Sequence, residues 1–287
     1  MEKKEFCAAV AKRLGVICPD LCVDDREVLK NNTTLNGIIL RDKDTKIAPT
    51  IYIDSMYEKE MSVDETANKV YEIYEEHKDD SVGFDVELFK DWEWVKSRLT
   101  LDVINTARNE KLLETAVHEE FLDLSILCRI LVESKGDTNA YITVLTNHLD
   151  QWGVTAEEVL QVAKEQTPIL LPASLRKISD VLDEMMPGME GCFDMPEIPL
   201  LVLSNEQRIH GAATMFYPNK LQEIYESVGT FALLPSSIHE VLIHPTEDKS
   251  ALPGLTCLVN EVNSTEVSEE DFLSDHAYFY DGTKLSF

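Results

Sequence analysis

Apolar residues recur along this chain in two rhythms, and the changes of rhythm predict its elements. Near the start, Phe6, Ala9 and Val10 run with Arg13 at helical spacing, so the first dozen residues predict a short helix. Alternating stretches follow at Arg26–Asn31, Leu35–Asp42 and Ile47–Met56. The turn residues Asn31-Asn32 and Asp42-Lys43-Asp44 between them predict an antiparallel meander. Pro49 belongs at an edge or bulge, because it has no amide to give a ladder. Ser62 and Glu65 then form a capping box ahead of Val63, Ala67, Val70, Tyr71 and Tyr74, a helical stripe. A second helix is expected over Asp85–Leu99, with Val86, Phe89, Trp92 and Val95 along one side.

The middle of the chain repeats this plan. Leu124–Glu133 reads as a strand, Lys135-Gly136-Asp137 as a turn and Ala140–Thr146 as a second strand. Thr155 and Glu158 make another capping box, and Thr155 falls where Ser62 falls when the two stretches are aligned. An internal repeat of a β-β-α unit is therefore expected. A helix over Ala173–Met186 leads to PGMEGCFDMPEIP, where three prolines and two glycines in thirteen residues predict a linker.

Beyond it the pattern reads β-β-α-β-β, beginning with strands at Pro199–Leu203 and Gly211–Phe216. Pro218 and Gly229 bracket a helix with Leu221, Ile224, Tyr225 and Val228 on one face. A short helix over Pro253–Asn263, a turn capped by Ser268 and Asp271, and a hairpin closed at Asp281-Gly282 complete the chain. The fold class is α+β, with antiparallel sheets packed against helices. Two lobes are expected, 1–186 and 200–287, joined by the linker at 187–199.

Chemistry concentrates in LPSSIHEVLIHP, Leu234–Pro245, where two serines, two histidines and a glutamate fall within nine positions. His239 and His244 are five apart, one more than a zinc-binding HExxH helix needs. On a helix they diverge by roughly 140°, and on a strand they face opposite sides. The prolines and the Val241-Leu242-Ile243 core favour a strand over Ile238–His244, with Glu240 and His239 on opposite faces. Adjacent strand residues point apart, so Ser237, His239 and Glu240 do not form a catalytic triad among themselves, and Ser236 and Ser237 read as turn hydroxyls. The catalytic candidates are His239, Glu240, Asp275 and His276, and the binding candidates Asn205, Ser236, Ser237 and Asn260. All fall near predicted element ends, where sites concentrate. Their bland reading is turns, caps and satisfied histidines. His118-Glu119-Glu120 lacks the second zincin histidine, and Trp92 and Trp94 read as core and rim.

Charge narrows the field. The 53 acidic and 26 basic residues give a net charge of −27, which disfavours nucleic-acid binding and docking on anionic lipid. The six scattered cysteines include only one CxxxC pair, Cys18 and Cys22, so neither a zinc site nor a disulfide framework is expected. No signal-peptide core and no run of 18 apolar residues is present, and a bacterial cytoplasmic location is expected. No metal and no cofactor is expected. A 44% hydrophobic content supplies a sizeable core.

The stretches VLSNEQRIHGAATMFYPNKLQEI, LLPSSIHEVLIHP, VNEVNSTEVSEEDFLSDHAYFYDG and LNGIILRDKDTKIAPTIYIDSMYE resemble a domain-of-unknown-function family of gut anaerobic bacteria, associated with mobile elements and phage-like regions. The likeness runs over nearly the whole chain. A second uncharacterised family, of Gram-positive bacteria, is similar in pattern only. Neither resemblance implies an activity, so no residue role carries over. Three function classes follow: a non-enzymatic accessory protein acting through a protein partner, a hydrolase or metal-dependent enzyme using the C-terminal His, Asp and Glu residues, and an acidic DNA mimic. For the last, Glu261–Asp281 is the segment of interest, with seven acidic residues and no Lys or Arg.

Overall fold

The computed structural model describes residues 1–43, 48–78, 87–132, 140–185 and 200–287. The expected turn at 135–137 and linker at 187–199 lie outside them. Contacts divide the chain into two compact units, 1–85 with 132–140, and 86–131 with 141–287.

The first unit opens with helix α1 (Lys3–Ile17), followed by strands β1 (Cys22–Lys30), β2 (Thr33–Arg41) and β3 (Thr50–Tyr52). The strands form the expected antiparallel meander, turning between β1 and β2 at Asn31-Asn32, with Asn32 left-handed at φ 59°. Helices α2 (Asp54–Glu58) and α3 (Val63–His77) follow. The third strand is shorter than Ile47–Met56. Asp54 turns inward, where its carboxylate accepts the Asn36 amide at 2.7 Å and the Asn36 side chain at 3.2 Å, and the chain coils into α2. The Ser62–Glu65 capping box starts α3 as read from sequence. Phe6, Val10 and Leu14 of α1 meet Ile38 and Leu40 of β2 and Ala67, Val70 and Tyr74 of α3 in one core.

In the second unit, α4 (Trp92–Lys96) is a short helix capped by Asp91, and Leu99 already begins a strand, β4 (Leu99–Asn105). The single long helix expected over Asp85–Leu99 is therefore not formed. All seven residues of β4 are buried, and that burial outweighs the helical spacing read from Val95. Next come α5 (Glu110–Leu113), β5 (His118–Phe121), β6 (Leu124–Val132), β7 (Ala140–Thr143), α6 (Thr146–Trp152) and α7 (Ala156–Leu170). Strand β6 pairs with β4, β5 and β7. Helix α7 is tied to β4 through the buried Thr167 hydroxyl, which accepts the Leu101 amide at 2.8 Å. Helices α3 and α7 are both 15 residues long, both start at a capping box, and each follows a strand and a short helix.

The helix expected over Ala173–Met186 is instead a strand, β8 (Ala173–Lys177), followed by α8 (Ile178–Met185). Strand β8 pairs antiparallel with β9 (Leu201–Asn205), so the residues on either side of 187–199 share one sheet. The segment Gly211–Phe216, expected as a strand, is a buried 3-10 turn, because the Ala212 amide reaches the Ile238 carbonyl at 3.1 Å and the Thr214 hydroxyl closes onto Gly211. Helix α9 (Lys220–Val228) ends at Gly229, with φ 76°. Strands β10 (Phe231–Leu234) and β11 (Val241–Pro245), helix α10 (Leu252–Thr265) and the hairpin β12 (Tyr278–Tyr280) and β13 (Leu285–Ser286) close the chain. The six-stranded sheet runs β13-β12-β10-β11-β9-β8, antiparallel throughout. The class is α+β.

Candidate functional site

LPSSIHEVLIHP is not one strand. Leu234 ends β10, Val241 starts β11, and 235–240 is a loop. The loop is held from outside and from within. Ser236 and Pro235 accept the Leu273 and Ser274 amides through their carbonyls, each at 3.0 Å. Ser237 forms a bridge with Phe272, and its hydroxyl accepts the His239 amide at 3.0 Å. The serines thus serve as turn groups. A strand over Ile238–His244 fails because these loop bonds replace ladder bonds until Val241.

His239 projects from this loop into a cluster that the sequence did not announce. Asp102 on β4 and Arg129 on β6 are diagonal neighbours, since Asp102 faces Leu127 and Thr100 faces Arg129. Their charges meet at 2.5 Å. His210 joins them, with Nδ1 at 3.2 Å from Asp102 and Nε2 at 3.4 Å from an Arg129 guanidinium nitrogen. A guanidinium only donates, so Nε2 accepts and the His210 proton sits on Nδ1, facing the carboxylate. The tautomer of His239 is set in the same way. Its Nδ1 accepts the His210 backbone amide at 3.2 Å, and Nε2 donates to Asp271 at 3.0 Å. The His239 carbonyl accepts the Ser204 hydroxyl at 2.7 Å. Side-chain exposure rises outward through 1% at Asp102, 18% at His210, 31% at His239 and 41% at Asp271.

Burial by itself would raise the Asp102 carboxyl, but Arg129 and then His210 outweigh it and hold it at about 2. Glu240 goes the other way. Burial pushes its carboxyl above the ordinary range, partly offset by His239, with Asp271 adding to the rise and a Ser237 hydrogen bond opposing it. Arg208 and His210 are left-handed, at φ 57° and 53°, in the loop joining β9 to the 3-10 turn. Asn205 closes that loop, its side-chain amide donating to the Ile209 carbonyl at 2.8 Å.

The other candidates belong to a second network. The Asp123 carboxylate accepts from the Tyr278 hydroxyl at 2.5 Å and the Ser274 hydroxyl at 2.7 Å, and His276 Nδ1 lies 3.4 Å away. Burial, and then the Asp123 charge, push the Tyr278 phenol far above its ordinary range, so it stays a donor. Asp275 is held by α10. Asn263 donates to its carboxylate at 3.1 Å, and Asn260 donates to its carbonyl at 2.8 Å. Hydrogen bonds and ion contacts therefore place His239 with Asp271, Glu240 with Ser237, and Asp275 and His276 with α10 and Asp123. Replacing Tyr278 by Phe is expected to cost about 1–3 kcal/mol in urea unfolding, because the carboxylate loses a buried donor. A loss below about 0.5 kcal/mol would show that solvent already serves Asp123.

Sequence reasoning missed Asp102, Arg129, His210 and Asp123. A signal was present for the first two, as one acid inside LTLDVIN and one base inside LSILCRILV, each alone in an apolar run. Two lone opposite charges on buried strands have to find each other. Among the described residues no group of three or more His, Cys, Asp or Glu is placed to hold a metal ion, and no helix is long and apolar enough to cross a membrane.

Fold and site together define an α+β protein with two polar networks built into its larger unit. The chain belongs to a family of unknown function, DUF5688, whose model matches residues 3–282. No curated protein and no solved structure matches it.

Proposed function

We propose that this protein is a non-catalytic binding protein that engages a basic protein partner. The observation that carries this reading is the engagement of its histidines. Both ring nitrogens of His239 are hydrogen-bonded within the chain, and those of His210 face inward, 3.2 Å from Asp102 and 3.4 Å from Arg129. A general base needs a lone pair aimed at substrate, and a metal ligand needs one aimed at the ion. The net charge of −27 favours a cationic partner and opposes nucleic acid and anionic membranes. A cytoplasmic site of action fits the five described cysteines, all of which are free thiols. An accessory role on a mobile element or phage-like region is the narrower form, resting on the family resemblance. The DNA-mimic alternative is weaker, because Asp271, Asp275 and Asp281 of the acidic segment are engaged by His239, Asn263 and the Thr283 and Lys284 amides.

The test is affinity capture from lysate of the source organism, followed by reconstitution with the purified partner at 50 and 500 mM salt. A saturable complex that weakens as salt rises is expected. Turnover of a metabolite by the purified protein, or a complex indifferent to salt, would overturn the reading.

A further inference from the structure

A cavity of about 420 Å³ opens between α4 and the first turns of α7, within the range that suits a side chain or small ligand. The Trp92 ring lies on one side of it. That ring is backed by Trp152 at 5.8 Å and 31°, and Trp152 is itself fixed by donating Nε1 to the Phe89 carbonyl at 2.8 Å. The indole is thus a rigid flat surface. Val154 and Val162 add apolar wall, while Glu157 and Glu158 bring carboxylates and Lys96 one ammonium. Glu158 already accepts the Thr155 amide in the capping box, which leaves Glu157 as the carboxylate better placed to meet a ligand.

Resting on the basic-partner reading above, we propose that this cavity takes an arginine side chain from an exposed segment of the partner protein. Only a planar cation uses all three features. Its guanidinium stacks on Trp92, its fork pairs with Glu157, and its methylene stem lies along Val154 and Val162. The chain makes the stacking part of this contact internally next to the same helix, where the guanidinium carbon of Arg98, in the turn after α4, sits 4.9 Å from the Trp94 ring centroid. Lys96, on the same lining, opposes the incoming cation.

The probe is a tri-arginine peptide capped at both ends, titrated calorimetrically into the full chain at 50 mM salt, with tri-citrulline as the uncharged control. Binding of tri-arginine alone is expected. Trp92→Ala should weaken it about tenfold, Glu157→Gln about threefold, and Lys96→Glu should tighten it about threefold. The last two change only the rim, so they decide the matter even if Trp92→Ala fails to fold. Equal binding by wild type and all three variants would overturn the cavity assignment and leave the acidic binding surface standing. No binding of tri-arginine would also overturn the cavity, while the salt-dependent complex with the natural partner separately decides the broader reading.

Discussion

Replacing Arg129 by Met is expected to lower the unfolding free energy by about 3–5 kcal/mol, one of the two largest effects of any substitution considered. The reason is the charge left behind. Asp102 is 1% exposed and lies on a strand with no exposed residue, so its carboxylate would lose its counter-charge and keep the His210 ring beside it at 3.2 Å. The pair itself contributes much less than this loss, because both charges were taken out of water to make it. The double variant Asp102→Leu, Arg129→Met should therefore recover most of the stability. Urea unfolding of the two single variants and the double completes the cycle, and additive losses would show that the pair is not coupled.

The pH dependence carries the same signature. The Asp102 pKa is held at about 2 in the folded protein, below its ordinary 3.8. A depressed carboxylate stabilises the fold above its unfolded pKa, and that stability is lost as pH falls through the folded value. Wild type should lose on the order of 2 kcal/mol from this group between pH 4 and pH 2. In Arg129→Met the chief counter-charge is gone, burial opposes the charged form, and this acid slope should flatten. An unchanged slope would assign acid sensitivity to other carboxylates.

Gly211→Ala should be comparably damaging. A Cβ there would stand 2.0 Å from the Ser204 hydroxyl, 2.4 Å from the His239 carbonyl oxygen and 2.8 Å from the Asn205 amide nitrogen. Two of these atoms are backbone, so no rotamer change relieves the clash. The 3-10 turn, the end of β9 and the 235–240 loop must separate, which breaks the Ser204–His239 bond and the His210–His239 contact. The expected loss is about 3 kcal/mol or more. Adding Ser204→Gly removes the nearest atom but not the carbonyl, so rescue should be partial. Full rescue would mean that the hydroxyl alone needs the glycine.

Local signals carried a good part of this fold. The capping boxes at Ser62 and Thr155, the Asn31-Asn32 hairpin, the stop at Gly229 and the terminal hairpin at Gly282 were all legible, because each rests on atoms within a few residues. The failures share one cause. Asp85–Leu99, Ala173–Met186 and Gly211–Phe216 carry spacing that suits either a helix or a strand, and burial by distant partners decided between them. The candidate site follows the same division. His239 was found because it sits in a dense polar motif, whereas Asp102, Arg129 and His210 lie far apart in the chain.

What the sequence by itself determined is the α+β class, the acidic surface, the capped helices and the turns, since charge, caps and turn chemistry act locally. Only the tertiary structure decided that the serine-rich start of the motif is a loop, that its His239 is fixed by an amide and a carboxylate, and that an Asp–Arg–His cluster around the buried Asp102 stands behind it. Those contacts join residues 27 to 108 positions apart, and no short-range pattern specifies which distant strand will supply the matching charge.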